Sequence, residues 1–408
     1  MAGHSRRATT TDYDVIVVGA GIIGSCTAYH SQSLGQKTLL LEQFRLGHTN
    51  GSSHGKSRII RYAHDDPAYI PVVKDAYAQI AELEKKRKVA LWKNCGLLWM
   101  SDGNIIERLS ANLAKYQLNH EVLSGSEVCK RYPQFSFDSS WTGLVDPAGG
   151  VLYADKWLSA FQDEFLQAGG KIRDEEKVLD WVEAGDHIQV ETRKGKYTAK
   201  KLVLCPGVWF SQIVRFGPGE KKNDEDDRRR EAPPPVHVQP THISVCYWAP
   251  KVAEDIVHFN ENNFPVLIVE GEEAGTELFA LPNVDYPDSI KLANHLGGKY
   301  TPGDHIVHEG AVIDKPAAFI RRHVPMIDGE KPKRIDTCKY TMSDDEHYII
   351  DRAPGFKHVL IGGGMSGTGF KVAPAIGRAL ALMALDRPAP FDLSRFSIAR
   401  FSAPDAKL

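Results

Sequence analysis

The sequence predicts an α/β protein in which a Rossmann-like domain is interleaved with an α+β domain built on a mixed, mainly antiparallel sheet. Three observations lead to this class: a glycine-rich turn between an apolar strand and a helix near the start, a second glycine cluster near the end, and alternating apolar residues between them. The chain has 408 residues, 42% of them apolar, which is enough for two domains of ordinary size. A late apolar strand at 200–209 indicates that the first domain is rebuilt from distant segments.

The first element of the chain is a strand, a glycine turn, a helix and a second strand within residues 13–42. Its defining residues, three glycines and one acid, are Gly19, Gly21, Gly24 and Glu42. In this dinucleotide fingerprint the first glycine allows the sharp turn, the second lets backbone N–H groups approach a diphosphate, and the third lets helix and strand pack closely. The acid would accept ribose hydroxyls and repel a 2′-phosphate, so the unit predicts a dinucleotide site that disfavours NADP.

Composition and charge exclude several classes of protein. The 50 basic and 52 acidic residues give a formal net charge of −2, so the chain has no electrostatic footprint for nucleic acid. No run of about 18 apolar residues is available to span a membrane, and the first residues lack the apolar core of a secretory signal. The six cysteines form no CxxC pair, which argues against a metal site or a disulfide framework and favours a reducing compartment.

Periodicity predicts the remaining helices and strands. Helices are expected where apolar residues recur every three or four positions, around Val73 to Leu83, near 105–116, around Trp157 to Phe165, and over 372–386. Strands are expected at 177–183, 187–192 and 200–209, and the whole stretch 236–325 alternates in the manner of a sheet. The segment 217–235, rich in charge and proline, is predicted to be a mobile surface loop.

These patterns divide the chain into a discontinuous domain that would hold the dinucleotide, a second domain whose sheet would cover it, and a tail. The first domain comprises residues 9–90, 150–235 and 330–398. The second comprises residues 91–149 and 236–329, and the tail comprises residues 399–408.

The second glycine cluster, IGGGMSGTGFK at 361–371, again joins an apolar strand to the start of a helix. A second dinucleotide unit is one interpretation, but no acid-terminated strand follows it. The other is that its backbone N–H groups, with glycines at Gly364 and Gly367, face the polar edge of a flavin. A reduced flavin carries negative charge there, which these dipoles would stabilise, and this interpretation agrees better with the sequence.

Three motifs, GSSHGKSRIIR at 51–61, CKYTMSDDEHYIIDRAP at 338–354 and GGGMSGTGFK at 362–371, give the chain a specific resemblance. It resembles the monomeric sarcosine oxidases and peroxisomal sarcosine/L-pipecolate oxidases, within the amino-acid oxidase-like flavoproteins, from about Asp14 to the C-terminus. The resemblance implies FAD as the cofactor and sarcosine, L-pipecolate or L-proline as the substrate. The secondary amine would be oxidised to an imine, and O2 reduced to hydrogen peroxide.

The resemblance also assigns residues to the cofactor. Family members hold FAD covalently through a cysteine sulfur bonded to the 8α carbon of the flavin, and the matching residue is Cys338. His54 matches a residue near the flavin, with a loop histidine held by backbone bonds as the alternative. Ser53 and Arg58, in the same motif, complete the cofactor-binding set. Arg58 would neutralise the FAD diphosphate or, alternatively, pair with a surface acid.

Five side chains are implied around the flavin: Arg61, Lys371, His295 and Tyr340 at the substrate, and Lys291 on the other flavin face. Arg61 and Lys371 would bind the substrate carboxylate, and a role in the site would explain a lysine near a helix start, where a cation is otherwise unfavourable. Lys291 would promote the reduction of oxygen by stabilising superoxide electrostatically. His295 and Tyr340 would line the substrate cavity. The alternatives are the FAD diphosphate or a surface acid for Arg61, surface exposure for both lysines and for His295, and a core position for Tyr340.

Four features depart from the family pattern and leave the substrate open. Thr368 stands where a histidine is common, Asn294 where an aromatic residue is common, and Lys339 follows the flavin cysteine. The charged segment 217–235 is also longer than expected. Three other functions therefore remain as alternatives: a fructosyl (glycated) amino acid oxidase of the same fold, a dehydrogenase that passes electrons to another protein, and a non-catalytic dinucleotide-binding redox sensor.

The chain ends in Ala406-Lys407-Leu408, which differs by one small residue from the peroxisomal address S-K-L. This ending predicts recognition by the peroxisomal import receptor, and confinement beside catalase would suit an enzyme that makes hydrogen peroxide. The resemblance favours a monomer that acts in amino-acid catabolism.

Overall fold

The computed structural model describes residues 10–217, 236–271, 277–306, 308 and 310–402. The α-helices of these residues are α1 (Ile22–Ser33), α2 (Tyr69–Arg87), α3 (Ile105–Lys115), α4 (Gly125–Arg131), α5 (Ala154–Gln167), α6 (Phe210–Ile213), α7 (Gly310–His323) and α8 (Ala373–Ala384). The strands are β1 (Tyr13–Val18), β2 (Thr38–Leu41), β3 (Ser57–Ile60), β4 (Trp92–Asn94), β5 (Leu97–Ser101), β6 (Glu121–Ser124), β7 (Thr142–Asp146), β8 (Gly150–Tyr153), β9 (Lys171–Arg173), β10 (Val178–Ala184), β11 (His187–Thr192), β12 (Lys196–Leu204), β13 (Val238–Trp248), β14 (Val266–Val269), β15 (Leu278–Tyr286), β16 (Ser289–Asn294), β17 (Gly298–Lys299), β18 (Arg334–Ser343), β19 (Ile349–Arg352) and β20 (Val359–Gly363).

The first sheet contains the parallel strands of the predicted Rossmann-like unit. Its strands follow the order β10-β11-β12-β1-β2-β9, and β20 lies beside the second half of β12, with β19 beyond it. β1, β2, β9, β12 and β20 are parallel, whereas β10, β11 and β19 add antiparallel pairs. Val15, Ile16 and Val17 of β1 are almost completely buried, as expected of a central strand that is covered on both faces.

Three helices pack together beside this sheet. α1 lies against both α5 and α8, and the apolar residues predicted to line α5, Trp157, Phe161 and Phe165, are all buried in the shared core. A Cβ added to Gly377 of α8 would lie 2.5 Å from the Cβ of Cys26. This glycine therefore lets α8 approach α1 closely enough to hold the start of α1 against the sheet.

The second sheet is mixed and mainly antiparallel, as the sequence predicts. Its order is β17-β13-β16-β15-β14-β5-β7-β6, β18 pairs along the other edge of β13, and among the described strands of this sheet the one parallel pair is β14 with β5. A small third sheet has the order β3-β8-β4, and both of its strand pairs are antiparallel. The expected fold class, a Rossmann-like unit interleaved with a mainly antiparallel sheet, is confirmed.

One expected element is wrong. The stretch 236–325 was expected to alternate in the manner of a sheet throughout, yet residues 310–323 form helix α7. Ala317, Phe319 and Ile320 are buried on one side of α7, and this spacing suits a helix rather than a strand. The proline inside the segment, Pro316, obscured the helical period because proline usually breaks a helix.

The sheets also bear on the proposed domain bounds. Strands of the first sheet come only from 9–90, 150–235 and 330–398 in the described chain, whereas β18, at 334–343, belongs to the second sheet although its segment was assigned to the first domain. The division into domains stays a proposal, with β18 on the side of the second sheet. Beyond Gly217, the predicted loop 217–235 lies outside the described residues, as does the tail beyond residue 402.

Candidate active site

A cavity of about 620 Å³ lies at the carboxyl ends of β1 and β2. Crevices at this edge of a parallel sheet are where dinucleotides bind, because the glycine turn and the helix N-terminus both open onto it. The residues of the fingerprint and of its neighbouring loop that line this cavity are Gly19, Gly21, Glu42, Ser53, His54 and Arg58. At the far end the same cavity reaches Cys338, Tyr340 and Gly367.

The fingerprint glycines leave room that a side chain would fill. Gly19 has a φ of +99°, and a Cβ there would overlap the carbonyl oxygen of Cys205. A Cβ on Gly24 would overlap the carbonyl oxygen of Gly19, so this glycine lets α1 begin directly beside the turn. Gly21 faces the cavity, and the next backbone N–H, of Ile22, donates to Ser53 Oγ at 3.0 Å.

Glu42 is held rigidly at the cavity wall. Its Oε2 accepts the N–H of Ala20 at 2.9 Å, its Oε1 accepts the N–H of Phe44 at 3.0 Å, and His48 Nε2 lies 3.4 Å from Oε1. A carboxylate can accept about four hydrogen bonds, so capacity remains for the hydroxyls of a ribose. The glycine turn, the positioned acid and the volume of the cavity, about 620 Å³, together fit a bound FAD.

Arg58 stabilises the loop before β3 through hydrogen bonds and does not pair with a surface acid. Its guanidinium donates to the carbonyl oxygens of Ser52 at 3.1 Å, His54 at 2.6 Å and Ser57 at 2.8 Å, and Nη2 lies 3.7 Å from Cys338 Sγ. The alternative expectation for Arg58, an ion pair with a surface acid, is therefore wrong, and the guanidinium lies beside the sulfur of Cys338.

His54 spans the loop and strand β18. Its ring nitrogens lie 2.9 Å from the carbonyl oxygen of Gly51 and 2.8 Å from that of Thr337. Burial lowers the pKa of His54, and the nearby cations Arg58 and Lys339 act in the same direction. The ring is thus fixed between the fingerprint side and the strand that carries Cys338.

Cys338 is buried on β18 and lines the large cavity together with one other cysteine, Cys205. Cys205 lies under the glycine turn, and burial raises the pKa of its thiol to about 12, so it is a poor nucleophile. Cys338 instead stands next to a guanidinium and at the junction with a second cavity. Of the two, Cys338 is the thiol placed for chemistry.

The second cavity, of about 110 Å³, adjoins the first, and Cys338, Tyr340, Arg58 and Gly367 line both. The four side chains expected at the substrate, Arg61, Lys371, His295 and Tyr340, all line it, and so does Lys291, which was expected on the other flavin face. The alternative of surface exposure is wrong for both lysines, each of which is 4% exposed.

Arg61 and Lys371 are buried cations that form no ion pair among the residues described. The Arg61 guanidinium lies 4.4 Å from the ring of Trp99 and donates to the carbonyl oxygen of Ala63, while Lys371 Nζ donates to the carbonyl oxygen of Thr368 at 2.9 Å. Burial lowers the pKa of Arg61. Burial, and next the Arg61 charge, lower the pKa of Lys371 well below its ordinary value. An anion entering the cavity would relieve both penalties.

Lys291, by contrast, is already paired. Its Nζ lies 2.9 Å from Asp285 Oδ2 and donates to Ser57 Oγ at 2.6 Å, and the serine hydroxyl in turn donates to the same carboxylate oxygen. Asp285 was missed in the sequence because it stands beyond the end of a predicted strand, six positions from the lysine, with no motif to mark it. Asp285 lies on β15 and Lys291 on the neighbouring strand β16, whereas Ser57, which bonds to both, lies on β3, far away in the chain.

His295 and Tyr340 form the side wall of the small cavity. Their ring centroids are 5.1 Å apart, and His295 Nδ1 lies 3.8 Å from Glu277 Oε1, another cavity residue that the sequence did not reveal. Burial raises the pKa of Tyr340, so its hydroxyl stays protonated.

Not all glycines of the second cluster, at 361–371, line the two cavities. Gly367, with a φ of +75°, lines both cavities, and a Cβ there would lie 2.6 Å from Tyr340 Cε2. Gly364 lines neither cavity, since a Cβ at this position would point at Ile349, 2.8 Å away. Its assignment to the cofactor therefore stays a prediction, whereas Gly362, Gly363 and Met365 line the large cavity.

Two further properties were searched for in the described part of the chain. There, no group of three or more histidine, cysteine, aspartate or glutamate side chains could hold a metal ion. No helix in the same residues combines the length and the apolar character needed to cross a membrane.

Comparison with known proteins places the chain in a family. The family model described as FAD dependent oxidoreductase matches residues 14–383. The chain is 49% identical to a putative sarcosine oxidase of Caenorhabditis elegans over 397 residues, which cover 96% of this chain and 98% of the relative. It is 35% identical to the peroxisomal sarcosine oxidase of Homo sapiens over 395 residues, or 95% of this chain and 96% of the relative.

A solved structure shows the same fold at low sequence identity. The L-proline dehydrogenase of P. horikoshii is 17% identical and superposes with a TM-score of 0.78, covering 97% of this chain and 99% of that one. Together with the two cavities, the family model and the curated relatives show that the chain belongs to the FAD dependent oxidoreductases and, within them, to the sarcosine oxidase family.

Proposed function

We propose that this chain is an FAD-dependent oxidase of small secondary amino acids, such as sarcosine, L-pipecolate or L-proline, with O2 as the electron acceptor. The family supports oxidation of a CH–NH donor. The observation that carries the substrate class is the pair of buried basic side chains, Arg61 and Lys371, in a cavity of about 110 Å³. Neither forms an ion pair among the described residues, although Glu277 of the same cavity attracts both. A small carboxylate completes that charge arrangement.

The residues of the small cavity would position the substrate. Arg61 and Lys371 would hold the carboxylate, since a forked guanidinium suits its two oxygens and an ammonium adds a second charge. His295 and Tyr340 would confine the amine, and the apolar side chains of Ile268 and Phe279 would exclude water from the carbon skeleton. FAD, when bound, would accept the electron pair of the C–H bond next to the substrate nitrogen.

Lys291 would act after the substrate is oxidised. Its ammonium lies in the same cavity, and a fixed positive charge there would stabilise the negative charge that develops on oxygen as it is reduced. We therefore assign the reaction with O2 to the Lys291 end of the cavity and carboxylate binding to the opposite end.

We also propose that Cys338 carries the flavin covalently, as the family resemblance implies. Supporting this are its position in the large cavity and the neighbouring Arg58 guanidinium, which would stabilise a thiolate. Precipitation with trichloroacetic acid should leave the yellow colour in the protein pellet. Colour released into the supernatant would contradict a covalent bond.

A substrate panel tests the proposed function. Peroxide release should be seen with at least one of sarcosine, L-pipecolate and L-proline, and the same amine should bleach the flavin absorbance under anaerobic conditions. The small size of the second cavity argues against a fructosyl amino acid, which serves as the comparison substrate. Bleaching without peroxide would indicate a dehydrogenase, and no bleaching by any amine would indicate a redox sensor.

We propose a peroxisomal location as well. The human relative is named a peroxisomal sarcosine oxidase, and a product such as hydrogen peroxide favours confinement. The tripeptide Ala406-Lys407-Leu408 is the expected contact of the import receptor, and it lies outside the described residues. Residues 399–408 fused to the end of a fluorescent protein should direct it to peroxisomes, whereas a fusion that ends at Asp405 should stay in the cytosol.

A further inference from the structure

The carboxylate of Asp285 is built into the wall of the small cavity at its Lys291 end. Asp285 is 8% exposed, and its Oδ2 is shared by Lys291 Nζ, at 2.9 Å, and by the hydroxyl of Ser57. Its Oδ1 accepts the backbone N–H of Lys56 at 3.2 Å. Lysine, serine and aspartate thus form a closed triangle, because Lys291 also donates directly to Ser57 Oγ.

We propose that Asp285 is a positioning residue for the reaction with O2, and that it keeps the buried Lys291 ammonium charged and fixed toward the cavity. The inference rests on the proposed function, since it concerns the step in which oxygen accepts electrons.

The surroundings of Lys291 explain why a partner is needed. The charged and titratable groups around its ammonium are Asp285, Arg58, the thiol of Cys338 and, with its ring centroid 5.8 Å away, Tyr247. Burial lowers the pKa of Lys291, and the Asp285 carboxylate opposes this most strongly. The Arg58 guanidinium lowers the pKa further, and Cys338 raises it to a smaller extent than Asp285. Burial would raise the pKa of Asp285, but the Lys291 ammonium and the hydrogen bonds from Lys291 and Ser57 bring it below its ordinary value. Both partners are therefore ionised together.

The hydrogen bonds of Lys291 also define how it can act. An ammonium has three N–H donors. In the structure these have three acceptors: Asp285 Oδ2, Ser57 Oγ and the Ser57 carbonyl oxygen at 3.2 Å. With its donors engaged by the protein, Lys291 contributes a fixed charge rather than a hydrogen bond or a proton, and Asp285 is what preserves that charge.

Asp285→Asn removes the charge while keeping an oxygen for the Lys56 N–H. A matched control is Asp288→Asn, in the β15–β16 turn, whose carboxylate is 40% exposed and pairs with Arg334 and Lys333. The holoenzyme is reduced with dithionite, so that no amine substrate is needed, and mixed with O2 over a series of pH values.

The reoxidation rate constant should fall as pH rises through the pKa of Lys291. In Asp285→Asn this fall should occur at lower pH, so that between the two midpoints the variant is slower by about tenfold for each unit of displacement. Asp288→Asn should follow the wild type, and Asp285→Glu should restore most of the profile. A wild-type profile in Asp285→Asn would overturn the proposal.

Unfolding of the apoprotein gives a readout that does not depend on activity. Without Asp285, the folded protein disfavours the Lys291 ammonium, so the unfolded state binds more protons and stability rises with pH. The loss of stability in Asp285→Asn should therefore shrink as pH rises, whereas the loss in Asp288→Asn should stay constant. A pH-independent loss in Asp285→Asn would contradict the assignment.

If Asp285→Asn does not fold, Lys291→Arg decides the question, because a guanidinium stays charged at all accessible pH. Its reoxidation should lose the pH dependence of the wild type, and retention of that dependence would overturn the proposal. Failure of the proposed function would look different: no amine would bleach the flavin, while the dithionite-reduced protein would still show the pH behaviour described.

Discussion

The two ends of the small cavity both hold buried cations, but they balance charge differently. At one end Arg61 and Lys371 form no ion pair among the described residues, although Glu277 attracts both, whereas at the other Lys291 is paired with Asp285 at 2.9 Å. Burying a charge without a partner is costly. An anion from solution would therefore stabilise the first end, whereas at the second end an anion is already supplied by Asp285. This difference supports the proposal that the anionic substrate binds at the first end and that neutral O2 reacts at the second.

The largest effect should appear in the stability of the apoprotein. Lys291→Met leaves Asp285 buried without its partner and should lower the free energy of unfolding by about 3–5 kcal/mol. Lys371→Met removes a buried cation that is repelled by Arg61, and it should raise the free energy of unfolding by about 1 kcal/mol. Urea denaturation near neutral pH measures both, and equal losses in the two variants would remove the contrast between the ends.

The reaction with oxygen should depend only on the end of the small cavity that holds Lys291. In Lys291→Met, reoxidation of the reduced enzyme should slow by about 10²- to 10³-fold, the usual effect of removing one preorganised electrostatic group. Anaerobic reduction by the amine should change far less, because the carboxylate is held elsewhere. Stopped-flow absorbance separates the two half-reactions, and equal slowing of both would place Lys291 at the substrate instead.

Substrate binding should depend on the opposite end. Arg61→Ala should raise KM by about 10- to 100-fold, since hydrogen bonds to charged groups contribute about 1.5–3 kcal/mol. FAD content should be unchanged. Arg131→Ala, which breaks the exposed ion pair with Glu121, is the control and should leave KM as it is. An unchanged KM in Arg61→Ala would exclude this arginine from the substrate.

The smallest effect concerns pH. Burial, and then the Arg61 charge, lower the pKa of Lys371, so its positive charge is present below that pKa and lost as pH rises through it. KM should therefore rise with pH in the wild type. Lys371→Arg, which keeps its charge, should show a flatter profile. A profile identical to that of the wild type would assign the titration to another group.

Local patterns in the sequence were sufficient for the first sheet and for the cofactor cradle. Gly19, Gly21, Gly24 and Glu42 lie within one strand–turn–helix–strand unit, so spacing alone predicts their neighbourhood. The substrate residues were found through resemblance to a family, because no local pattern connects Arg61 with residues more than 200 positions away. Helix α7 was missed since its proline masked the helical period.

Charge partners formed by tertiary contacts could not be predicted. Asp285 meets Ser57 across 228 positions, and Glu277 reaches His295 from the adjacent strand. Gly364 shares a motif with Gly367, but a Cβ at this position would point at Ile349, and Gly364 lines neither cavity. The residues of a motif predict which part of the fold a site occupies. The backbone conformation then decides which side chains and N–H groups of the motif face that site.

The position of Cys338 on strand β18 has a consequence for the whole molecule. The fingerprint belongs to the first sheet, whereas the cysteine belongs to the second. An FAD that is bound at Glu42 and covalently bonded to Cys338, as proposed, would connect the first sheet to the second. Separating the two sheets would then require either dissociation of the adenosine end or cleavage of a covalent bond.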